Sequence, residues 1–360
     1  MAKTLIAMSG GVDSSVAALL MKKAGYDCIG STMRLYNNEA SGIISHTCCS
    51  IGDVTDARIV AYVLGIPYYV FNFQDEFRKC VIKKFISCYE KGITPNPCID
   101  CNRYLKFKKF YERAQEIGCD CIATGHYARI EYDEQRSRYT LKKAIDKSKD
   151  QSYVLAFMTQ EQLAHTRFPL GGITKGETRR IAEEHGFINA RKRDSQDICF
   201  IPDGDYASFI RRYASKGTEP GDFTDEAGNV LGKHNGIIHY TIGQRRGLGI
   251  ASDKPYYVCR IDTGNNRVVL THDSNQGSNV LWADQLNFIS VNDISDNIRV
   301  KARIRYRHTE QWATVAKKDD DMIKVVFDEP QRAITPGQAV VLYEGDVVLG
   351  SGIIIKNQDV

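Results

Sequence analysis

The sequence predicts an α/β domain built on a parallel sheet, followed by a small, mostly β central domain and a C-terminal β-barrel. Three observations predict it. From Lys3 to about Gly125, short β-rich runs alternate with helix-period segments, the pattern of a parallel sheet covered on both faces. After Pro202 the texture changes to turn-rich segments such as Pro220-Gly221, Gly228-Asn229 and Gly247-Leu248-Gly249. From Leu281 to Ile355, short strand patterns repeat at close spacing, as in a small barrel or sandwich.

Taken in order, Thr4 to Met8, Asp27 to Met33, Tyr68 to Phe73 and Cys119 to Thr124 read as strands. Val12 to Ala24, Val54 to Leu64, Asp75 to Glu90 and Arg103 to Ile117 read as the intervening helices. Ile130 to Lys142, with the polar turn Asp133 to Arg138, reads as a hairpin inserted in the first domain, before a helix around Glu161 and another at Lys175 to His185. A helix at Tyr206 to Ala214 opens the central domain. Arg299 to Tyr306, Trp312 to Lys317, Ile323 to Phe327 and Ala339 to Tyr343 are the C-terminal strands, parted by Asp319-Asp320-Asp321 and Glu344-Gly345-Asp346. The expected domains are 1–204, 205–280 and 281–360.

Composition narrows the class without naming a function. With 360 residues, 42% apolar and 26% charged, the chain has ordinary globular usage, which argues against disorder and fibrous architecture. The amino terminus has no signal h-region or cleavage site, and no run approaches the roughly 20 apolar residues of a membrane helix; the expectation is a cytoplasmic protein that does not engage the membrane. Eleven cysteines without a dense framework suit a reducing compartment. Cys28, Cys80, Cys88, Cys119, Cys121 and Cys259 read as buried hydrophobes. The net charge of +4 is a weak signal, although Lys106/Lys108/Lys109, Arg179/Arg180, Arg191 to Arg193, Arg211/Arg212 and Arg245/Arg246 bunch the positive charge.

Ser9-Gly10-Gly11-Val12-Asp13-Ser14 follows an apolar strand and opens a helix. Its glycines permit close backbone approach, and the amides at the helix start point at an anion. The Walker pattern, Gly-x-x-x-x-Gly-Lys-Ser/Thr, does not occur. The string resembles the PP-loop of ATP pyrophosphatases, which cleave ATP between the α and β phosphates and leave AMP on an acceptor oxygen. The resemblance implies a PP-loop nucleotide-binding domain that uses ATP and Mg²⁺, with Ser9 and Ser14 on phosphate oxygens and Asp13 helping to hold Mg²⁺. It extends the nucleotide contacts to Ala7, Met8, Gly10, Gly11 and Val12. Met33 and Gly125 fall at the carboxyl ends of their strands, where α/β sheets bind ligands; the plainer readings are a core methionine and a turn glycine.

Cys98 and Cys101 stand three apart in Asn96-Pro97-Cys98-Ile99-Asp100-Cys101-Asn102, just before a helix whose dipole favours a thiolate. A Cys-x-x-Cys is also half a zinc site, but no second Cys/His pair follows nearby at finger or ribbon spacing. Cys199, in Asp197-Ile198-Cys199-Phe200-Ile201, follows the basic Arg191-Lys192-Arg193, a setting that stabilises a thiolate or persulfide; its apolar neighbours equally suit a core cysteine.

SGGVDS, NPxxxCN, TGHYA (Thr124 to Ala128), KDQSYVL (Lys149 to Leu155), DICFI, HYTIGQRRGLGI (His239 to Ile250) and TPGQAVVLY (Thr335 to Tyr343) occur in this order over nearly the whole chain. Together they resemble the tRNA-specific 2-thiouridylase family. The resemblance implies adenylation of the C2 oxygen of the wobble uridine, position 34, in lysine, glutamate and glutamine tRNAs, then replacement of that oxygen by sulfur with release of AMP and pyrophosphate. Cys199 would carry the persulfide, delivered by a cysteine desulfurase or sulfur-relay protein, and Cys101 would be the nucleophile that resolves the resulting disulfide. It also implies tRNA contacts at Asn96, Pro97, Cys98, His126, Lys149, Asp150, Gln151, Arg305, Tyr306 and Gln338. Lysine and arginine neutralise phosphates, and Tyr306 is able to stack on an unpaired base.

One position departs from the family pattern. An aspartate with an acid/base role often stands where this chain has Cys98; Asp100 is not the matching position and does not inherit the role. The substitution opens another reading, in which Cys98, Cys101 and Cys199 hold a [4Fe-4S] cluster with one open iron. The competing function is a PP-loop ATP-dependent ligase or amidotransferase acting on a small molecule, which would need neither Cys101 nor Cys199.

Overall fold

The structure, a computed structural model, describes residues 1–36, 51–193, 198–201, 204–272, 277–294, 296–319 and 321–356. Asp197, Pro202 and Asp320, named above, lie outside the described residues.

The chain opens with β1 (Lys3–Ala7), α1 (Val12–Lys23), β2 (Asp27–Arg34), α2 (Ile51–Val63) and β3 (Tyr68–Asn72). Helix α3 then runs unbroken through Gln74–Phe77, Arg78–Ile82 and Lys83–Glu90. Helix α4 runs through Pro97–Asp100, Cys101–Lys109 and Phe110–Glu116, its middle segment wound wider than an α-helix, a device that recurs at functional sites. Next come β4 (Cys121–Thr124), β5 (Ala128–Asp133), β6 (Arg138–Lys143), α5 (Ser152–Leu155), α6 (Gln160–Ala164), β7 (Thr166–Arg167) and α7 (Lys175–Glu184).

Five of these strands form a parallel sheet in the order β3-β2-β1-β4-β7. Because side chains alternate along a strand, Leu5 of β1 enters the apolar cluster formed with Phe77, Phe85, Leu105 and Phe110 of α3 and α4. Ile6 enters the opposite cluster with Val16, Leu19, Val60 and Ala182 of α1, α2 and α7. Both faces are therefore covered, which explains why β1 reads as a continuous apolar run.

After α8 (Tyr206–Arg211), β8 (Gly221–Thr224), β9 (Val230–His234), β10 (Tyr257–Asp262) and β11 (Arg267–Thr271) form a second sheet, ordered β10-β11-β8-β9. It packs Phe223, Val258, Val268 and Leu270 over Ile237 and Tyr240. The last six strands are β12 (Gly277–Phe288), β13 (Ile298–Arg303), β14 (Gln311–Asp319), β15 (Met322–Arg332), β16 (Ala339–Glu344) and β17 (Val347–Ile354). They run β12-β15-β14-β13-β16-β17, and β12 pairs back onto β17 to close a barrel. Leu281, Val300, Ala313, Val325 and Leu342 fill its interior.

The strand β7 joins the parallel sheet where none was expected, and the strand expected over Arg299 to Tyr306 ends at Arg303. Two further elements differ in ways that bear on the site. The hairpin β5–β6 forms as predicted, but it also extends the C-terminal sheet: Lys142 and Leu141 face Val347 and Val348 of β17. It thus clamps the first part of the chain to the barrel. Helix α4 starts at Pro97 rather than Arg103, because Asn96 caps it by accepting the Cys98 amide at 3.1 Å and Pro97 takes the first helical position. The start of the helix therefore falls on the cysteine pair.

Candidate functional site

The loop from Ser9 to Ser14 leaves β1 and enters α1. Gly10 has φ +75°, and a Cβ there would sit 2.2 Å from the Asp53 carbonyl oxygen; only glycine fits both demands. Gly11 caps α1 with no side-chain hydrogen bond, so the first amides of the helix face the cavity. Ser14 Oγ accepts the Ser9 amide at 3.1 Å and donates to the Gly11 carbonyl at 3.0 Å. Its hydroxyl, expected on a phosphate, fixes the loop itself. Gly125, at the end of β4, lies so close to α1 that a Cβ would meet the Ser14 nitrogen at 2.8 Å.

Asp13, expected to help hold Mg²⁺, is occupied otherwise. Lys175 Nζ lies 2.7 and 2.8 Å from its two oxygens, and Tyr127 donates its hydroxyl at 2.8 Å. The pair ties α7 to the start of α1. With Asp13 held in this way, no step below depends on its binding Mg²⁺.

A cavity of about 820 Å³ joins the loop to the thiols. Ala7, Met8, Ser9, Gly11, Val12, Asp13, Ser14, Met33 and Gly125 line it. Pro97, Cys98, Cys101, His126, Lys149, Gln151, Cys199 and Tyr306 also line it. Cys98 is exposed, Cys101 is buried at 6% exposure and Cys199 is half-buried. Among the described residues no group of three or more His, Cys, Asp or Glu side chains is arranged to hold a metal. The cluster reading for Cys98, Cys101 and Cys199 therefore does not fit this arrangement.

His126 lines the cavity with Nδ1 2.7 Å from Thr124 Oγ1 and its ring between Phe107 and Phe168. Burial, then Lys106, pushes its pKa well below the usual value, so it faces the cavity as a neutral imidazole. Burial, then Asp150, pushes the Tyr306 phenol up, and Tyr306 and Cys98 line the same cavity. Arg303 stacks 5.7 Å from the Tyr306 ring centre.

Several expected RNA contacts turn away from the cavity. Asp150 is buried; it accepts the Ala144 and Ser152 amides at 3.2 and 3.1 Å and meets Arg303 at 3.4 Å. Gln338 donates to the Thr94 carbonyl at 2.9 Å, bracing the segment before α4 against the barrel. Asn96 spends its side chain on the helix cap. Arg305 lies in a neighbouring groove of about 910 Å³ with Arg260, Arg332 and Lys356. Asp100 also points elsewhere, to Lys84 Nζ at 2.7 Å, with burial raising its carboxyl.

The sequence reading missed four contributors. Lys106 lines the cavity, although only its place in a basic run was noticed. Lys192 also lines it, reaching Asp53 and Asp56 at 2.6 Å each and the Gly10 carbonyl at 3.2 Å. Burial opposes its charge, but the two carboxylates hold its ammonium above the usual lysine value. Asp53 and Tyr127 complete the support of the loop. Asp53 lies in no motif named above, and Tyr127 lies in TGHYA, but the contact each makes with the loop exists only in the fold.

Family models match three consecutive parts of the chain: a tRNA methyl transferase HUP domain over residues 2–203, a tRNA methyl transferase PRC-barrel domain over 207–272, and an aminomethyltransferase beta-barrel domain over 278–354. A protein of Acetivibrio thermocellus named tRNA-specific 2-thiouridylase MnmA is 52% identical over 98% of this chain and 99% of its own length. One of the same name from Clostridioides difficile is 51% identical over 99% of this chain and 98% of its own. A third, tRNA-specific 2-thiouridylase MnmA 1 of Caldanaerobacter subterraneus subsp. tengcongensis, is 51% identical over 98% of each chain. Identity at this level along the full length, with the glycine loop and the thiols opening on one cavity, assigns the chain to the tRNA-specific 2-thiouridylase family.

Proposed function

We propose that this chain is a tRNA-uridine 2-sulfurtransferase of the cytoplasm. It uses ATP to activate the C2 oxygen of uridine 34 in lysine, glutamate and glutamine tRNAs and replaces that oxygen with sulfur, releasing AMP and pyrophosphate. The observation that carries the reading is the single cavity shared by the glycine loop, Cys98, Cys101 and Cys199. A nucleotide held at one end and a thiol at the other meet at the same base. We take 1–204 as the catalytic domain, 205–280 as a central tRNA-binding domain and 281–360 as the barrel.

In this reading the open amides of α1 hold the ATP phosphates. Lys106 adds positive charge to the cavity wall, and Lys192 braces the loop through Gly10, Asp53 and Asp56. Ala7, Met8, Val12 and Met33 exclude water around the adenylate, and adenylation turns the C2 oxygen into a leaving group. A persulfide on Cys199, supplied by a cysteine desulfurase or relay protein, attacks C2 with its terminal sulfur and expels AMP. Cys101 then attacks Cys199 Sγ, breaking the S–S bond; 2-thiouridine leaves and a Cys101–Cys199 disulfide remains. Tyr306 and neutral His126 flank the extruded base, Lys149 and Gln151 contact the RNA beside it, and Arg305 with Arg260, Arg332 and Lys356 neutralises phosphates in the adjoining groove.

AMP formation should need the acceptor base. With ATP and a tRNA carrying uridine 34, AMP accumulates; with the same tRNA carrying cytidine 34, it falls to background. Equal AMP release with or without tRNA would point to a small-molecule acceptor instead.

A further inference from the structure

The disulfide left by that chemistry creates a difficulty of access. Cys101 is 6% exposed and packs into the main apolar cluster, and Cys199 is half-buried against the same cluster. Cys101 Sγ is therefore the less accessible end of that bond. Cys98 lines the same cavity and is exposed.

Cys98 and Cys101 are three residues apart in the first turns of α4. Helix geometry sets their Cα atoms about 5 Å apart, inside the roughly 4.4–6.8 Å range a disulfide accepts. Cys98 is the second residue of that helix, where the dipole favours a thiolate. Its amide is already held by Asn96, so the turn carrying it is anchored as the sulfur moves.

We propose that Cys98 is a third redox thiol that takes the disulfide from the buried pair and presents it at the surface. The inference rests on the persulfide reading above. The Cys98 thiolate attacks Cys101 Sγ, the Cys101–Cys199 bond breaks, and the electron pair leaves on Cys199 Sγ, which takes up a proton. No electron is gained or lost in the exchange. Cys199 is thereby a thiol again, ready for the next sulfur, while an external dithiol reduces the exposed Cys98–Cys101 bond and is itself oxidised to a disulfide.

The test is a single turnover without reductant, begun with persulfide-loaded enzyme, ATP and tRNA, quenched by alkylation and read by peptide mass spectrometry. The wild type should hold Cys98–Cys101 in about tenfold excess over Cys101–Cys199, equivalent to about 30 mV for this two-electron couple, with Cys199 alkylated. Cys98→Ser should trap Cys101–Cys199, and its repeated turnover should drop several-fold with a protein dithiol and recover with a small phosphine. Wild type that accumulates Cys101–Cys199 while Cys98 is alkylated overturns the relay. Appearance of 2-thiouridine with neither disulfide in either protein removes the persulfide reading and the relay with it.

Discussion

Replacing Cys101 or Cys199 with alanine is expected to cut 2-thiouridine formation by about 10³-fold or more while tRNA-dependent AMP formation continues. Cys199→Ala removes the sulfur carrier and Cys101→Ala the thiol that resolves the disulfide, and a factor of 10³ is about 4 kcal/mol of barrier. The loop that handles ATP hangs on β1 and α1, whereas Cys101 sits on α4 and Cys199 on a separate segment, so the first half-reaction keeps its machinery. Folding should survive as well. Cys101 is a small side chain in a large cluster, and truncating it should cost about 1 kcal/mol. Nucleoside mass spectrometry and AMP release, measured on the same samples, separate the two halves; full thiolation by both variants would sink the sulfur-transfer account.

Gly10→Ala is expected to disable the other half. Alanine at φ +75° pays about 1–2 kcal/mol for the left-handed backbone, and its Cβ would stand 2.2 Å from the Asp53 carbonyl oxygen. Something must move, and the movable partner is the start of α2, to which Lys192 is bound through Asp53 and Asp56. We expect about 2–4 kcal/mol of lost stability and about a hundredfold drop in AMP formation, since displaced amides no longer meet the phosphates. Gly11→Ala is the control. Gly11 is extended, and a Cβ there meets only Ser9 Oγ at 3.5 Å, so stability should hold. Denaturant midpoints compare the two, and equal losses of stability would contradict the steric account.

What the sequence disclosed and what it hid divides by range. The parallel sheet was legible because each strand and helix announces itself over a few residues, and SGGVDS marks its own turn. The start of α4 was written locally too, in Asn96-Pro97, but the apolar period that drew attention begins later, so the predicted helix began at Arg103. The clamp between β6 and β17 was hidden because its partners are some 200 residues apart. The KDQSYVL segment shows how a motif mixes purposes. Lys149 and Gln151 face the cavity, Asp150 is buried against Arg303, and Tyr153 is fully buried with its hydroxyl on the Ala339 carbonyl at 2.9 Å. Family resemblance marks such residues alike, whereas burial and hydrogen bonding separate those that meet a ligand from those that hold the barrel in place. Lys192 was hidden for the same reason as the clamp, since its role exists only once α2 and the glycine loop are neighbours.

The central claim joins adenylation of one oxygen to its replacement by cysteine-borne sulfur, and one isotope experiment addresses both. The enzyme, carrying persulfide, is given ATP and a tRNA whose uridine 34 bears heavy oxygen at C2, and the AMP and nucleosides are weighed together. The account predicts heavy-oxygen AMP and 2-thiouridine in equal amounts. Unlabelled AMP released alongside 2-thiouridine would contradict it.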